Sequence, residues 1–313
     1  MKRLHLHGVG SCSLGRDEPT VPGLGRVEDV PIAEYARASA RRRYARVARL
    51  VYVAAKRALA DAGIEDPSDL CTVTSTALGE TAATVSLLTQ IRETRGDTVS
   101  PALVPNTVHN APAGHLTIGL GMREACATVS QGWLSAEAAI AAAADLLDHG
   151  PARRALAICA DEADPGWVGG LEELGAREWA RGLEALALQE GAIALVVGSE
   201  PGGRRLGSVA AALERAPEGA DGVRRVLERH LSGADLPPEI RVRAAADGRA
   251  LLEDLSSLPE LRDRSVSLDG EGLGTSQAGA FAALVDRVED PSCRGLLMVG
   301  REIDEVGLLC WTP

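Results

Sequence analysis

No stretch of this chain stays apolar for the length that a membrane span requires. Its opening, MKRLHLHGVG, carries two basic residues but no apolar h-region, so it reads as a first strand and not as a signal peptide. No CxxC pair occurs, and no Cys/His or Asp/Glu/His set has the spacing of a metal site. The cysteines, Cys12, Cys71, Cys126, Cys159, Cys293 and Cys310, are scattered, as expected for reduced thiols of a cytoplasmic protein. No metal and no cofactor are expected. Low-complexity tails and long linkers are also missing, which favours a single unit over residues 1–313. Basic excess is absent too: the net charge of -11 argues against bulk attraction to nucleic acid or an anionic membrane. Aromatic residues are scarce at 3%, while Ala and Leu dominate. Small side chains allow helices to pack closely, which suits a layered α/β protein.

What is present is an alternation of strand and helix patterns. Residues 3–12 read as a strand and 13–33, rich in Gly and Pro, as a loop. A helical pattern runs from about Ala40 to Gly63, a plausible stop. CTVTSTALG (71–79) reads as a strand and TAATVSLLTQIRETRG as a helix. RALAICADEA (154–163) and AIALVVGSE (192–200) are continuous apolar runs, which fit a sheet covered on both faces. Residues 164–190 read as an excursion with its own helix. After a break at 201–204 the alternation returns: strands at 206–214, 239–246, 264–269, 294–300 and 304–312, and helices at 221–233, 249–256 and 276–289. Two similar halves, about 1–200 and about 204–313, predict α/β layers.

The densest chemistry lies between Val104 and Asp145, VPNTVHNAPAGHLTIGLGMREACATVSQGWLSAEAAIAAAAD. This reads as a loop, a short helix, a buried strand (CATVS), a sharp turn and a long Ala-rich helix. Ser130 stands at the turn, where a side chain can be aimed at a substrate with helix N–H groups behind it.

This segment resembles the β-ketoacyl synthases of the thiolase superfamily. ARRRYARVARLVYVAAKRALADAGI is similar to that family's early amphipathic helix, and CTVTSTALGE to the strand and Gly turn that follow. PNTVHNAPAGHLTIGLG resembles the segment before the nucleophile strand, ATVSQGWLSAEAA the strand, elbow and helix, and ALAICADEA the next core strand. VHNAPAG and ADE look closest to a short, divergent group that includes chain-length-factor-like partners of aryl polyene and related type II systems. The resemblance implies the thiolase fold: two similar βαβα halves in a layered αβαβα arrangement. It also implies an acyl carrier protein as partner, and a homodimer or a heterodimer with an active synthase.

The departures concern catalysis. Family members condense with a cysteine and two histidines. Aligning TVSQG on the family's elbow puts Ser130 in the cysteine position. DGEGLGTSQAGAFAAL (269–284) resembles the second histidine loop, and there the histidine position falls on Leu273. After EIRVRAAADG the chain offers Ala245, Ala246 and Asp247, and His230 is the one histidine of the second half. The leading expectation is therefore a non-condensing subunit that pairs with an active synthase and shapes the acyl cavity. The alternative is a serine-dependent acyltransferase or thioesterase-type hydrolase. Ser130 would be its nucleophile, His109 or His115 its base, and N–H groups near Ser130 and Gly274 its oxyanion hole.

Each candidate also has a structural reading. Ser130 suits a helix N-cap, and Gly132 allows close backbone approach. Cys126 reads as a small buried hydrophobe. His109 and His115 can satisfy backbone groups in the PAG turn. Asp161, Glu162 and Asp164 read as a solvated strand end or a dimer-loop feature, ahead of a role in binding metal or orienting a histidine. Gly272, Leu273 and Gly274 belong to a loop expected to close over the acyl cavity. Arg41, Arg42, Arg43, Arg46 and Arg49, with Lys56 and Arg57, form a basic run on a predicted helix. It either docks the acidic surface of a carrier protein or is a solvated, internally paired face.

Overall fold

A computed structural model of the protein describes residues 1–13, 25–166, 190–201, 206–216, 220–231, 236–244, 248–268, 284–285, 287–288, 290, 292–302 and 305–313. The expected excursion at 164–190, most of the helix at 276–289, the positions Ala245, Ala246 and Asp247, and the glycine loop with Gly272, Leu273 and Gly274 fall wholly or largely outside these residues.

The first half contains β1 (Leu4–Ser13), α1 (Ile32–Tyr35), α2 (Ala38–Arg41), α3 (Arg46–Asp61), β2 (Cys71–Ser75), α4 (Thr81–Thr94), α5 (Ala111–Leu120), β3 (Cys126–Val129), α6 (Ser135–His149), β4 (Arg154–Asp161) and β5 (Gly191–Gly198). The second contains β6 (Ser208–Arg215), α7 (Ala220–His230), β7 (Glu239–Ala244), α8 (Gly248–Ser256), β8 (Ser265–Leu268), β9 (Leu296–Glu302) and β10 (Glu305–Thr312).

Strands of the first half lie in the order β3-β2-β4-β5-β1, and those of the second in the order β6-β10-β9-β7-β8. Read inward from its outer edge, each half has the same topology. Three parallel strands (β3, β2, β4, then β8, β7, β9) continue through antiparallel β5 and β1, or β10 and β6. The halves join where Leu4 and His5 pair with Val209 and Ser208.

Three apolar cores separate the layers. Along β4, Ala155, Ala157 and Cys159 face one core while Leu156, Ile158 and Ala160 face another. This period of two on a strand buried on both sides is the signature of a covered sheet. The central core takes Ala136, Ala139, Ile140 and Ala143 of α6, with Val209, Met298 and Leu309 from the second half. The outer core of the first half is filled by Val47, Leu50, Val51 and Ala54 of α3, and that of the second by Val223, Val226 and Leu227 of α7 with Leu251 and Leu255 of α8. Helix, sheet, helix, sheet, helix is the αβαβα order expected from the sequence.

Two local expectations change. The helix expected from Ala40 is split, because Ala45 is extended (φ -69°, ψ 179°) and α3 starts at Arg46. The break lets Tyr44 turn inward to 5% exposure against Tyr52 and His115. Arg41, Arg42 and Arg43 thus end α2 and form the turn, while Arg46, Arg49, Lys56 and Arg57 lie on α3. The second change is at β3. CATVS was expected to be buried, but β3 is the edge strand, hydrogen-bonded to β2 alone among the described residues, and Cys126 is exposed.

Candidate functional site

Parallel strands end on one side of a sheet, so their carboxyl ends converge, and in open α/β sheets ligands bind there. In this chain the ends of β2, β3 and β4 bring together the turn at 76–79, Ser130 and the acids Asp161 and Glu162.

Asp161 fixes the turn. Its Oδ1 accepts from Thr76 Oγ1 (2.6 Å) and from the N–H groups of Ala77 (3.0 Å) and Leu78 (2.9 Å). Thr76 Oγ1 in turn accepts from the Gly79 N–H at 2.8 Å, and the Thr76 N–H reaches the Val129 carbonyl at 3.3 Å. Strand β2 therefore stops at Ser75, short of the expected 79, because this carboxylate captures the next N–H groups. Asp161 and Glu162 are each 1% exposed, so the strand end is a buried polar clamp and not a solvated one.

Glu162 accepts from Thr81 Oγ1 (3.0 Å) and from the Ala82 N–H (2.6 Å) in the first turn of α4. Glu80, 2% exposed, accepts from the Val47 and Ala48 N–H groups at 3.3 and 3.2 Å, in the first turn of α3. Helix N-termini favour negative charge, yet burial outweighs this here. Burial, reinforced by the nearby Glu162 charge, pushes the Glu80 carboxyl up to about 8. Burial likewise pushes Glu162 up. Glu190, fully buried, is held by Arg46 Nε at 2.7 Å and by the Val27 N–H at 2.7 Å.

Ser130 follows β3 directly and is exposed. It is no N-cap: α6 begins at Ser135, and Leu134 occupies the cap position. The intervening turn is organised by Ser135, whose Oγ accepts from the Gln131 N–H (2.8 Å) and lies 2.7 Å from the Gly132 carbonyl. Gly132 adopts φ 49°, a left-handed conformation that L side chains resist, so the elbow keeps its glycine on conformational grounds. Gln131 Nε2 donates to Glu305 of β10, and Leu134 packs over Gly307, so the elbow sits where the two halves meet.

Neither candidate base is paired with Ser130. His115 Nε2 pairs with Asn106 Oδ1 at 2.8 Å, and its ring rests 4.9 Å from that of Tyr44. Burial, helped by Arg43, holds its imidazole below the usual range. His109 is exposed and lies against Gly79: a Cβ there would come within 2.3 Å of its ring. Thus His109 belongs to the surface of the site, beside the 76–79 turn, while His115 anchors the loop before α5. Neither is hydrogen-bonded to Ser130 in the described structure, so the serine–histidine pair of the hydrolase reading is not formed. No group of His, Cys, Asp and Glu among the described residues could hold a metal ion.

The basic run divides as well. Arg46 is committed to Glu190, and Arg49 Nε donates to the Tyr44 carbonyl at 2.9 Å. Arg42 and Arg43 project from the turn as exposed groups, with Arg41 half-buried beside them. Sequence reasoning missed Thr76, Glu80 and Glu190. The available signal was a glutamate directly after a Gly turn, in LGET, where a helix was due to start.

The family model for the β-ketoacyl synthase N-terminal domain matches residues 26–195. The chain belongs to this family. No curated protein sequence matches it. Among solved structures, this β-ketoacyl synthase relative is similar to the ishigamide ketosynthase/chain length factor, at 18% identity with a TM-score of 0.73, over 100% of this chain and 99% of that one. A β-ketoacyl synthase from Burkholderia phymatum STM815 superposes with a TM-score of 0.75 at 15% identity, over 100% of this chain and 99% of the other. A type II PKS acyl-carrier protein in complex with its ketosynthase gives a TM-score of 0.70 at 16% identity, over 99% of both chains. At these identities the structures establish the thiolase-type fold of the synthase family.

Proposed function

We propose that the protein is a non-condensing β-ketoacyl synthase-like subunit, acting as partner or chain-length-determining factor for an active synthase in a type II polyketide, fatty-acid or aryl-polyene-type pathway. The observation that carries this reading is Ser130. It occupies the carboxyl end of β3 as an exposed hydroxyl with no histidine bonded to it, and an unassisted hydroxyl is a weak nucleophile. The surrounding clamp of Asp161, Thr76 and Ser135 shapes a site without supplying a base.

The edge position of β3 supports association. Its outer N–H and C=O groups are a template for another strand. Helix α5, which packs on β3, carries Ile118 at 84% exposure, and Leu88, Ile91, Val104 and Val108 are further exposed apolar side chains of this half available to a partner. The partner is a second copy or an active synthase. Carrier protein binds through Arg41, Arg42 and Arg43 in this reading, with Arg46 and Arg49 supporting the turn from inside. An acyl chain passes near Gly132 in this reading; Gly272, Leu273 and Gly274, also expected to meet it, lie outside the described residues. No described helix is long and apolar enough to cross a membrane, and the reading places the protein in the cytoplasm without nucleic-acid partners.

The test is intact-mass analysis after mixing the protein with acyl carrier protein thioesters, beside Ser130→Ala. The reading expects no acyl adduct on either protein, and co-purification with a synthase that has the cysteine and both histidines. An adduct that disappears in Ser130→Ala overturns it.

A further inference from the structure

The exposed side chains of Arg42 and Arg43 stand on a turn whose own backbone bonds are few. The Arg43 N–H reaches the Ala40 carbonyl at 2.9 Å and the Tyr44 N–H reaches the Arg41 carbonyl at a long 3.4 Å, after which Ala45 is extended. Side chains take the carbonyls that follow. Arg49 Nε donates to the Tyr44 carbonyl at 2.9 Å. Asn106, 8% exposed, donates from Nδ2 to the Arg43 carbonyl at 3.1 Å, from 63 positions along the chain.

Asn106 is itself held. It ends the single 3-10 turn Val104–Asn106, and its Nδ2 also reaches the Ala102 carbonyl at 3.5 Å. Two carbonyls on one side of the amide require the nitrogen there, so Oδ1 is the atom that meets His115 Nε2 at 2.8 Å. That oxygen only accepts, so His115 carries a proton on Nε2. The His115 ring lies 4.9 Å from the Tyr44 ring, and the Tyr44 hydroxyl donates to the His115 carbonyl at 3.5 Å. The contacts close a circuit: from the Arg43 carbonyl to Asn106, to His115, to Tyr44 and back to the turn. Helix α5, which carries His115, packs on α3, so the circuit is fixed to a helix pair.

We infer that Asn106 and His115 are positioning residues for the Arg42–Arg43 turn, holding the backbone from which both arginines meet the acidic surface of a carrier protein. The inference rests on the reading that this turn docks a carrier protein, and it adds which residues prepare the turn for docking. A turn ordered in the free protein does not lose that freedom on binding. Long-range attraction depends on the arginine charges, which the circuit leaves in place, so its loss acts on dissociation and not on steering.

Two measurements test this on the whole chain: hydrogen exchange read by mass spectrometry over residues 40–48, and surface plasmon resonance on an immobilised type II holo-acyl carrier protein. His115→Phe keeps a ring against Tyr44 but removes the donor, and Asn106→Ala removes both of its bonds. Each should speed exchange over 40–48 while β4 and β5 stay protected. Each should weaken carrier binding about three- to tenfold through faster dissociation, with the salt dependence unchanged. The double variant should bind no more weakly than the weaker single one, because both break one circuit. His115→Gln, whose Nε2 reaches as far and donates, should restore exchange and affinity. Unchanged exchange in both variants overturns the inference, and so does loss of affinity that His115→Gln fails to restore. Faster exchange with wild-type affinity overturns it too, where charge reversal at Arg42 and Arg43 weakens binding. If wild type does not bind, or if charge reversal leaves binding unchanged, the docking reading fails and the inference falls with it.

Discussion

Replacing Glu80 by Gln should stabilise the protein, and by more as the pH rises. Glu80 is 2% exposed, close to Glu162, and its carboxyl is pushed from the ordinary 4.5 to about 8. A carboxyl whose folded value is raised contributes stability that is fully present below the unfolded value, 4.5, and is lost as pH climbs through 8. Each pH unit in that window costs about 1.36 kcal/mol. The loss is therefore about 3 kcal/mol at pH 7 and about 5 kcal/mol at pH 9. Gln does not titrate and, like the protonated carboxyl, keeps one carbonyl oxygen for the Val47 and Ala48 N–H groups, which bond Oε2 and Oε1 separately. Glu80→Gln should match wild type near pH 4.5 and exceed it above. At about 2 °C per kcal/mol for a chain of this size, the gap reaches about 6 °C at pH 7 and about 10 °C at pH 9. Melting curves by circular dichroism in half-unit steps from pH 5 to 9 measure it. The change in difference with pH matters more than any single value, because the net charge of -11 weighs on both proteins alike. Parallel curves, or a variant that loses stability at pH 9, would refute the reasoning.

Arg46→Ala should destabilise the fold by on the order of 3 kcal/mol, because it leaves buried Glu190 with only the more distant Arg26, 3.9 Å away, and urea melts read the loss. Adding Glu190→Gln should recover part of it. Gly79→Ala should cost about 1–2 kcal/mol for its φ of 71° and force His109 aside, visible as a shift of one imidazole resonance. Charge reversal at Arg42 and Arg43 together should weaken carrier-protein binding and flatten its salt dependence, with no change in melting temperature, because both side chains are exposed.

The sheet order was within reach of the sequence because its cause is local and repeated. Apolar runs such as AIALVVG have to be covered on both faces, and strand–helix alternation appears twice. What escaped were features decided by contacts distant in sequence. The break at Tyr44 depends on His115 and on Glu190, which lies 144 residues from Arg46. A run of seven basic residues over Arg41 to Arg57 looks uniform on paper, yet Arg46 faces inward while Arg42 and Arg43 face water. The acids of CADEAD read as solvated because aspartate and glutamate usually are. Their burial follows from the orphan N–H groups of the 76–79 turn and of α4, which nothing in the 161–164 segment announces. Cys126 reads as buried because CATVS is apolar, and only the strand order reveals an edge.

That edge gives the partner reading its sharpest check. Cys12, Cys71, Cys159 and Cys310 are buried and Cys293 is half-buried, so Cys126 should be the first thiol of the isolated chain to react. Partial desolvation pushes its thiol up, so iodoacetamide labelling belongs at pH 8.5 to 9, read residue by residue by mass spectrometry. A second strand laid along β3 would cover that thiol. In a homodimer, protection should grow with the concentration of this chain alone and follow the dimer fraction measured by light scattering. In a heterodimer, it should appear only when the synthase is added, at one synthase per chain. Equal labelling of Cys126 in the monomer and in any purified complex would remove β3 from the interface. The outer hydrogen-bonding groups of that strand would then need another explanation, since an uncovered edge beside the exposed Ile118 of α5 is a liability for a protein that acts alone.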